Sequence, residues 1–247
     1  MTHVATTVPA ETDILCEGCG YTLNGLPIDT GRCPECGKPI SESLGSSRVL
    51  PAWERPDRRT IASFVATSAA ALFSPKQFYR TLATRRETRA ARWFARVHWA
   101  IAALLFATAA TFHLDWYNRL YTGWYRSEWI TYAFFAAMLV LIYVSLASVT
   151  GLAARLTNWE GSYRGYRLPL PVVLRGMFYH AVHYLPVGLI AVMTVVGYRM
   201  LLSRHVLDPA DTGTKYLYVL CGVVVLAAFY LFETYWIGMR NMMYANR

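Results

Sequence analysis

The chain has 247 residues, of which 55% belong to the apolar and aromatic set AVILMFWYC and 16% are charged, against about a quarter charged in ordinary soluble domains. The mean hydropathy is +0.27. These values exclude a disordered chain, which would be polar and poor in aromatic residues, and they argue against a single soluble domain. The net charge of +9 is typical of nucleic-acid-binding proteins, so that class has to be tested against the positions of the charges.

Four of the five cysteines lie close together in the sequence, at Cys16, Cys19, Cys33 and Cys36. Their spacing, Cys-x2-Cys-x13-Cys-x2-Cys, predicts a tetrahedral zinc site, because each pair supplies two thiolates at the separation that the ion needs. We therefore expect one zinc ion held by all four. Iron also suits four thiolates, and a redox pair or two unrelated thiol pairs are the interpretations without a metal. Cys221, alone in an apolar run, is predicted to be a small buried side chain.

The residues around these cysteines fit a small metal-held module over residues 14–40. Gly20 and Gly37 follow the second cysteine of each pair, where the chain must turn tightly and glycine permits a positive φ. The apolar residues expected to shield the site are Leu23, Leu26 and Ile28. A piece this small builds no core of its own, so metal binding would supply its folding free energy.

The motifs CEGCGYTLNGLP and CPECG, between residues 16 and 37, resemble a short zinc ribbon of the rubredoxin-knuckle type. They are similar in particular to the N-terminal ribbons of bacterial multi-pass membrane proteins, which implies metal binding and a bacterial membrane. A second resemblance begins at LFSPKQFYR, residues 72–80, which is similar to the opening of Yip1-like membrane domains. That family usually has five spans, whereas this chain has four long apolar segments and a short one.

Four apolar segments are each long enough to cross the hydrocarbon core of a bilayer, which takes about 20 helical residues. They are predicted at residues 93–112, 129–152, 177–200 and 216–237. Tryptophan and tyrosine concentrate near their ends, as is typical of the membrane interface. The prediction is a mainly α fold, a four-helix transmembrane bundle over residues 93–247 with a small N-terminal zinc ribbon; buried helices of a soluble protein are the alternative.

Lysine and arginine are distributed unequally between the two predicted sides of the bundle. Thirteen lie between Lys76 and Arg96, in the connection 153–176 and after the last span, against four in the other two connections. Positive-inside asymmetry then places both termini in the cytoplasm, the reducing compartment that clustered metal-binding cysteines favour. No secretory signal is predicted in residues 1–13, and the expected location is a bacterial inner membrane.

The region between the ribbon and the first span, residues 41–92, is predicted to contain three parts. Residues 41–60 are rich in serine, proline and charge and are predicted to be a linker. Residues 61–73 are apolar at helical spacing but too short to span, which predicts an interfacial or re-entrant helix. A second helix is expected to begin at Pro75 and to continue into the first span. This helix is expected to carry a basic stripe, which either contacts an anionic leaflet or is a solvated face that only fixes the orientation in the membrane. The stripe consists of Arg85, Arg89, Arg92 and Arg96.

A few ionisable residues fall in or beside the predicted spans. His180 and His183 share a helix face, Arg175 precedes them, and Glu233 is expected at a similar depth. We expect these four to form a polar cluster near the cytoplasmic side, either a proton- or metal-responsive site or an interhelical hydrogen bond. No catalytic motif is recognisable, so no enzyme activity is indicated.

These features predict a non-enzymatic membrane adaptor or organising protein, with a cytoplasmic zinc-binding module that contacts a protein partner. The alternatives are a small transporter or channel-like component that uses the polar cluster, and a zinc- or redox-responsive membrane regulator. Residues 14–40 contain two basic residues against three acidic ones, so nucleic-acid binding is disfavoured. The anionic leaflet of the bilayer is the other expected partner.

Overall fold

The computed structural model describes residues 14–27, 30–43, 48–55, 60–84, 87–121, 128–164, 166, 169–204 and 209–245. Within these ranges there are seven α-helices: α1 (Ile61–Phe73), α2 (Pro75–Thr81), α3 (Arg89–Tyr121), α4 (Glu128–Tyr163), α5 (Leu170–His180), α6 (Tyr184–Ser203) and α7 (Pro209–Met242). The same ranges contain no strand, only isolated β-bridges. The predictions for residues 1–13, Ile28 and Arg85 lie outside the described residues.

Four helical segments are long and apolar enough to cross a membrane, which confirms the predicted mainly α fold. They run over Arg89–Asn118, Glu128–Tyr163, Leu170–Ser203 and Gly213–Met242. The third combines α5, a 3₁₀ turn at Ala181–His183, and α6. Pro186 accounts for this interruption, because proline has no N–H to bond to the carbonyl four residues earlier and its ring crowds that carbonyl.

The chain divides into two compact units. The first unit comprises residues 1–94, 150–180 and 234–247, and the second comprises residues 95–149 and 181–233. The first unit therefore brings together segments from the N-terminal region, the connection 153–176 and the C-terminal region, which the charge distribution assigned to one side of the membrane.

A buried ion pair joins Arg175 of α5 to Glu54 within the first unit. The Nη2 and Nε atoms of Arg175 lie 2.7 and 3.0 Å from the two carboxylate oxygens of Glu54, and Nη1 donates to the carbonyl of Ala83. The hydroxyl of Tyr179 donates to Glu54 at 2.6 Å. The two charged side chains are 1% and 9% exposed. Residues 48–55, predicted as part of a linker, thus contain Glu54, the buried counter-ion of an arginine that follows the second candidate span.

Helix α1 presents its polar face to the protein and its apolar face outward. Thr60 and Ser63 cap it reciprocally, with backbone-to-hydroxyl distances of 3.2 and 3.0 Å. Ser63, Thr67 and Ala71 are buried, whereas Ile61 is 85% exposed. A helix arranged in this way presents apolar surface to its surroundings, as the predicted interfacial helix requires.

The predicted continuous basic helix is interrupted, so that prediction is wrong. Helix α2 ends at Thr81 and α3 begins at Arg89. Between them Leu82 forms a β-bridge with Val49, and the N–H of Ala83 donates to the carbonyl of Val49 at 3.1 Å. The backbone leaves the helix because it pairs with the segment that precedes α1.

Several aromatic residues predicted for the membrane interface pack against each other in the second unit. The ring centroid of Tyr216 lies 4.6 Å from Trp116 and 4.8 Å from Tyr198. The hydroxyl of Tyr216 is 2.7 Å from Nδ1 of His113. Trp116 and Tyr216 are 7% and 4% exposed, so part of the aromatic excess serves helix packing.

Cys221 is exposed on α7, so the prediction that it is buried is wrong. The apolar run around it faces outward: Leu226 and Phe229 are 70% and 68% exposed. Apolar composition alone does not distinguish a buried face from one that contacts lipid, because lipid tails are as apolar as a protein interior.

Replacing Glu54 with glutamine tests the buried pair, because losing one partner of such a pair costs about 3 to 5 kcal/mol. We expect Glu54→Gln to lower the unfolding temperature of the detergent-solubilised protein strongly. Glu160→Gln is the matched control, since its pair with Arg164 is 53% exposed on the carboxylate side, and it should change little. Equal destabilisation of both variants would contradict the role of the buried pair.

Candidate metal centre

The four clustered cysteines bring their sulfur atoms together in the first unit. All four Sγ atoms lie within 4.8 Å of one another, with 3.5 Å between Cys16 and Cys36 and 3.7 Å between Cys19 and Cys33. A tetrahedral ion bonded at about 2.3 Å holds its sulfur ligands about 3.8 Å apart, so the spacing fits. Disulfide sulfurs lie about 2.05 Å apart, and these thiols are free. The group can therefore hold a metal ion.

Two similar turns, the first knuckle (residues 16–20) and the second knuckle (residues 33–37), position the sulfurs. In each, the glycine N–H donates to the carbonyl of the first cysteine, at 2.8 and 2.9 Å. The N–H of that cysteine donates to the carbonyl five residues later, at 2.8 Å in both turns. Gly20 and Gly37 have φ values of 83° and 70°, which confirms the predicted need for glycine.

An apolar cluster packs against the sulfurs. Leu23 is buried beside Cys16 and Cys33, and Leu26 and Ile40 pack on the same cluster. Leu23 and Leu26 were predicted to shield the site, and excluding water there strengthens the attraction between thiolates and a cation.

The environments of the cysteines differ in their effect on ionisation. Burial disfavours the thiolate of Cys16, but hydrogen bonds from the backbone of Gly18 and Cys19 outweigh it and lower the pKa of the thiol to about 7. At Cys19 burial dominates and raises the pKa of the thiol above its ordinary value. A coordinated cation favours the thiolate form of every ligand, so with an ion bound all four cysteines are deprotonated in spite of their different environments.

The two knuckles differ in what surrounds them. A Cβ atom placed on Gly20 would lie 2.5 Å from the ring of Tyr244, whereas a Cβ on Gly37 would meet no described atom within 4 Å. Pro34 and Glu35 of the second knuckle are exposed. The first knuckle is therefore packed against the segment that follows α7, and the second is open.

Arg48 joins the ribbon to the ends of two helices. Its Nε and Nη2 donate to the two carboxylate oxygens of Glu17 at 2.8 and 2.9 Å. Its Nη1 donates to the carbonyl of Leu82 after α2 at 2.9 Å, and Nη2 donates to the carbonyl of Asn241 in the last turn of α7 at 3.2 Å. The side chains of Arg48 and Glu17 are 2% and 6% exposed. Helix C-terminal carbonyls carry partial negative charge, so a guanidinium is well placed there.

Both histidines of the predicted polar cluster lie close to hydroxyl groups. Nε2 of His180 lies 3.0 Å from the hydroxyl of Thr234, and Nδ1 of His183 lies 2.8 Å from the hydroxyl of Tyr230. Glu233 is exposed, because adjacent helical residues point about 100° apart and Thr234 takes the buried position. Arg175 pairs with Glu54, as described above, and a partnership of Glu233 with the histidines stays a prediction.

The predicted basic stripe is partly described. Arg89, Arg92 and Arg96 are exposed on α3, and the guanidinium of Arg92 lies 5.9 Å from the ring centre of Phe178. Contact of these three with an anionic leaflet stays a prediction.

Three residues that make key contacts in the first unit are not evident from the sequence. Arg48 and Glu54 lie in a segment whose composition indicates a linker. Arg175 is the one signal in the sequence, because an arginine in an apolar helix needs a counter-ion; the sequence offers Glu233 of α7 for that role, whereas the structure has Glu54. Nothing in the local sequence distinguishes Tyr244.

Comparing Gly20→Ala with Gly37→Ala isolates the docking of the first knuckle. Both changes impose the strain of a positive φ on alanine, about 1 to 2 kcal/mol, but only the first drives a methyl group into Tyr244. We expect faster amide hydrogen exchange in the peptide containing Tyr244 for Gly20→Ala and wild-type exchange for Gly37→Ala. Identical exchange in the two variants would contradict the docked arrangement.

The metal centre and its surroundings are assigned from the geometry of the chain. No protein-family model matches the sequence, and no curated protein and no solved structure is significantly similar to it. The four long apolar helices and the four-cysteine group fit a membrane protein that carries a metal-binding module.

Proposed function

We propose that this protein is a non-enzymatic membrane adaptor or organising protein, whose ribbon is held by one zinc ion and contacts a cytoplasmic protein partner. The observation that carries the proposal is the asymmetry of the ribbon. The first knuckle is packed against Tyr244 and is tied to the helix ends through Glu17 and Arg48. The second knuckle, with Pro34 and Glu35, is exposed. A rigidly anchored module with one free face suits recognition, because little ordering entropy is lost on binding.

Zinc is the metal that best fits the ligands. Four thiolates at tetrahedral spacing, with no side left open for substrate, are typical of a structural zinc site. A mainly reducing compartment keeps such thiols available for the ion.

The cytoplasmic side is supported by the charge distribution. The segments of the first unit include most of the lysines and arginines outside the spans, and such segments remain in the cytoplasm in multi-pass proteins. The proposed location is the bacterial inner membrane, in keeping with the resemblance of residues 16–37 to N-terminal ribbons of bacterial membrane proteins.

The two alternatives make different demands on the molecule. A transporter would need a continuous polar path, but His180 and His183 bond to hydroxyl groups and Glu233 is exposed. A zinc- or redox-responsive regulator would need a readily released ion. The regulator would be favoured over the adaptor if a mild chelator released the zinc and the first knuckle separated from Tyr244 as the zinc was lost.

Cys16→Ser tests the metal. Removing one of four thiolates should abolish stoichiometric zinc in the purified full-length protein, as measured by elemental analysis. Cys221→Ser makes the same chemical change outside the cluster and should retain the metal. The zinc assignment is wrong if the wild type contains no stoichiometric zinc or if Cys16→Ser keeps it.

Reversing the charge of the open knuckle tests the adaptor role. The full-length tagged protein would be purified from detergent-solubilised membranes, and we expect Glu35→Arg to reduce the recovery of a specific protein partner about tenfold. Glu87→Arg is the matched control, because Glu87 is also exposed but lies outside the ribbon.

The adaptor role is excluded if the wild type recovers no specific partner, or if both reversals reduce recovery equally. Zinc content measured on each preparation separates a loss of partner from a loss of the folded ribbon.

A further inference from the structure

A cavity of about 630 Å³ lies in the first unit beside the packed first knuckle. Its walls come from that knuckle, from the start of α2, from the C-terminal end of α7 and from Tyr166. Pockets for small ligands typically measure about 300 to 1,000 Å³, so this volume fits a ligand the size of a lipid headgroup. Metal binding by the four sulfurs and partner binding by the open second knuckle do not explain this cavity.

The charges that line this cavity are mostly positive. Lys38 of the ribbon, Lys76 of α2 and Arg240 of α7 all line it, and none of the three forms an ion pair with the residues that the structure describes. Each comes from a different element, so their convergence is a property of the folded unit rather than of one charged run. Cations that share one cavity repel each other unless an anion compensates them.

The other charged residues at the cavity are already compensated. Arg80 pairs with Glu42 at 2.6 Å. Glu17, the acidic residue among the lining residues described, pairs with Arg48 at 2.8 Å. Lys38, Lys76 and Arg240 are therefore the cations at the cavity that have no carboxylate partner among the described residues.

The cavity also has an aromatic side at the end of the fourth candidate span. Trp236 is 48% exposed and lies six residues before the end of that span at Met242, a depth at which tryptophan is enriched in membrane proteins. The rings of Tyr166 and Tyr244 pack edge to face with centroids 5.7 Å apart. Cations beside interfacial aromatic rings are suited to a ligand with a charged head and an apolar or neutral remainder.

We propose that this cavity binds a phosphate-bearing anion through Lys38, Lys76 and Arg240. A phosphate group offers more acceptor oxygens than a carboxylate, so it can accept hydrogen bonds from all three cations that line the cavity, and the guanidinium can bind it in bidentate fashion. The phosphate belongs either to the headgroup of an anionic phospholipid or to a free phosphate ester. Because Lys38 and the first knuckle form one wall, the intact ribbon is part of the site.

Two probes distinguish these sources on the full-length protein. The first is glycerol phosphate, titrated onto protein in an uncharged detergent, with binding measured by the shift in unfolding temperature. The second is phosphatidylglycerol in phosphatidylcholine nanodiscs, with bound lipid counted by native mass spectrometry. Binding of phosphatidylglycerol without glycerol phosphate supports a lipid headgroup, and binding of glycerol phosphate supports a free ester.

The double variant Lys76→Gln with Arg240→Gln should weaken binding of the effective probe about tenfold or more, because it removes two of the three cations that would bind the phosphate. Arg155→Gln is the matched control, since Arg155 is exposed on α4 and does not line the cavity. It should bind as the wild type does. The single variant Lys76→Arg keeps the positive charge and should retain most of the wild-type affinity for the probe.

The proposal is overturned if neither probe binds the wild type more tightly than the double variant, or if Arg155→Gln loses as much. Metal content and gel filtration establish that each variant is folded. If the double variant does not fold, the single variant Lys76→Gln is compared with Arg155→Gln in its place. Lys76 is exposed, so this single change should leave the fold intact.

Discussion

The arrangement of the first unit depends on the buried ion pair between Arg48 and Glu17. Taking two charges out of water is unfavourable unless the remaining donors and acceptors are also satisfied, and here the carbonyls of Leu82 and Asn241 complete the set. Glu17 lies between the first two cysteines, so a bound ion that holds the first knuckle also fixes this carboxylate. The metal centre, the end of α2 and the end of α7 are therefore interdependent. The open second knuckle and the cavity beside the first knuckle both owe their fixed positions to this pair.

Features that depend on neighbouring residues could be predicted from the sequence. The four spans follow from runs of apolar residues, and the ligand group follows from two Cys-x2-Cys pairs. The positive φ values of Gly20 and Gly37 follow from the tight turn that each pair requires. In each case the residues that cause the feature lie within a few positions of it, and the physical reason for the pattern holds wherever the segment is placed.

Features that depend on distant residues were mispredicted or missed. Arg175 and Glu54 are 121 positions apart, and no periodicity connects them. The helix expected from Pro75 into the first span stops at Thr81 because Val49 competes for its backbone. The outward position of Cys221 could not be inferred, since an apolar residue suits both lipid and protein surroundings.

The distance along the chain between Arg48 and Asn241 has a consequence for biogenesis. The two residues that share this hydrogen bond are separated by 193 positions, so a ribosome completes the ribbon long before it makes the surface on which the ribbon docks. The ribbon can acquire its ion early, as an independent nascent domain. The contacts of the ribbon with Asn241 and Tyr244 therefore form only after the fourth candidate span has been synthesised. A chain that ends before Asn241 lacks the surface on which the first knuckle packs.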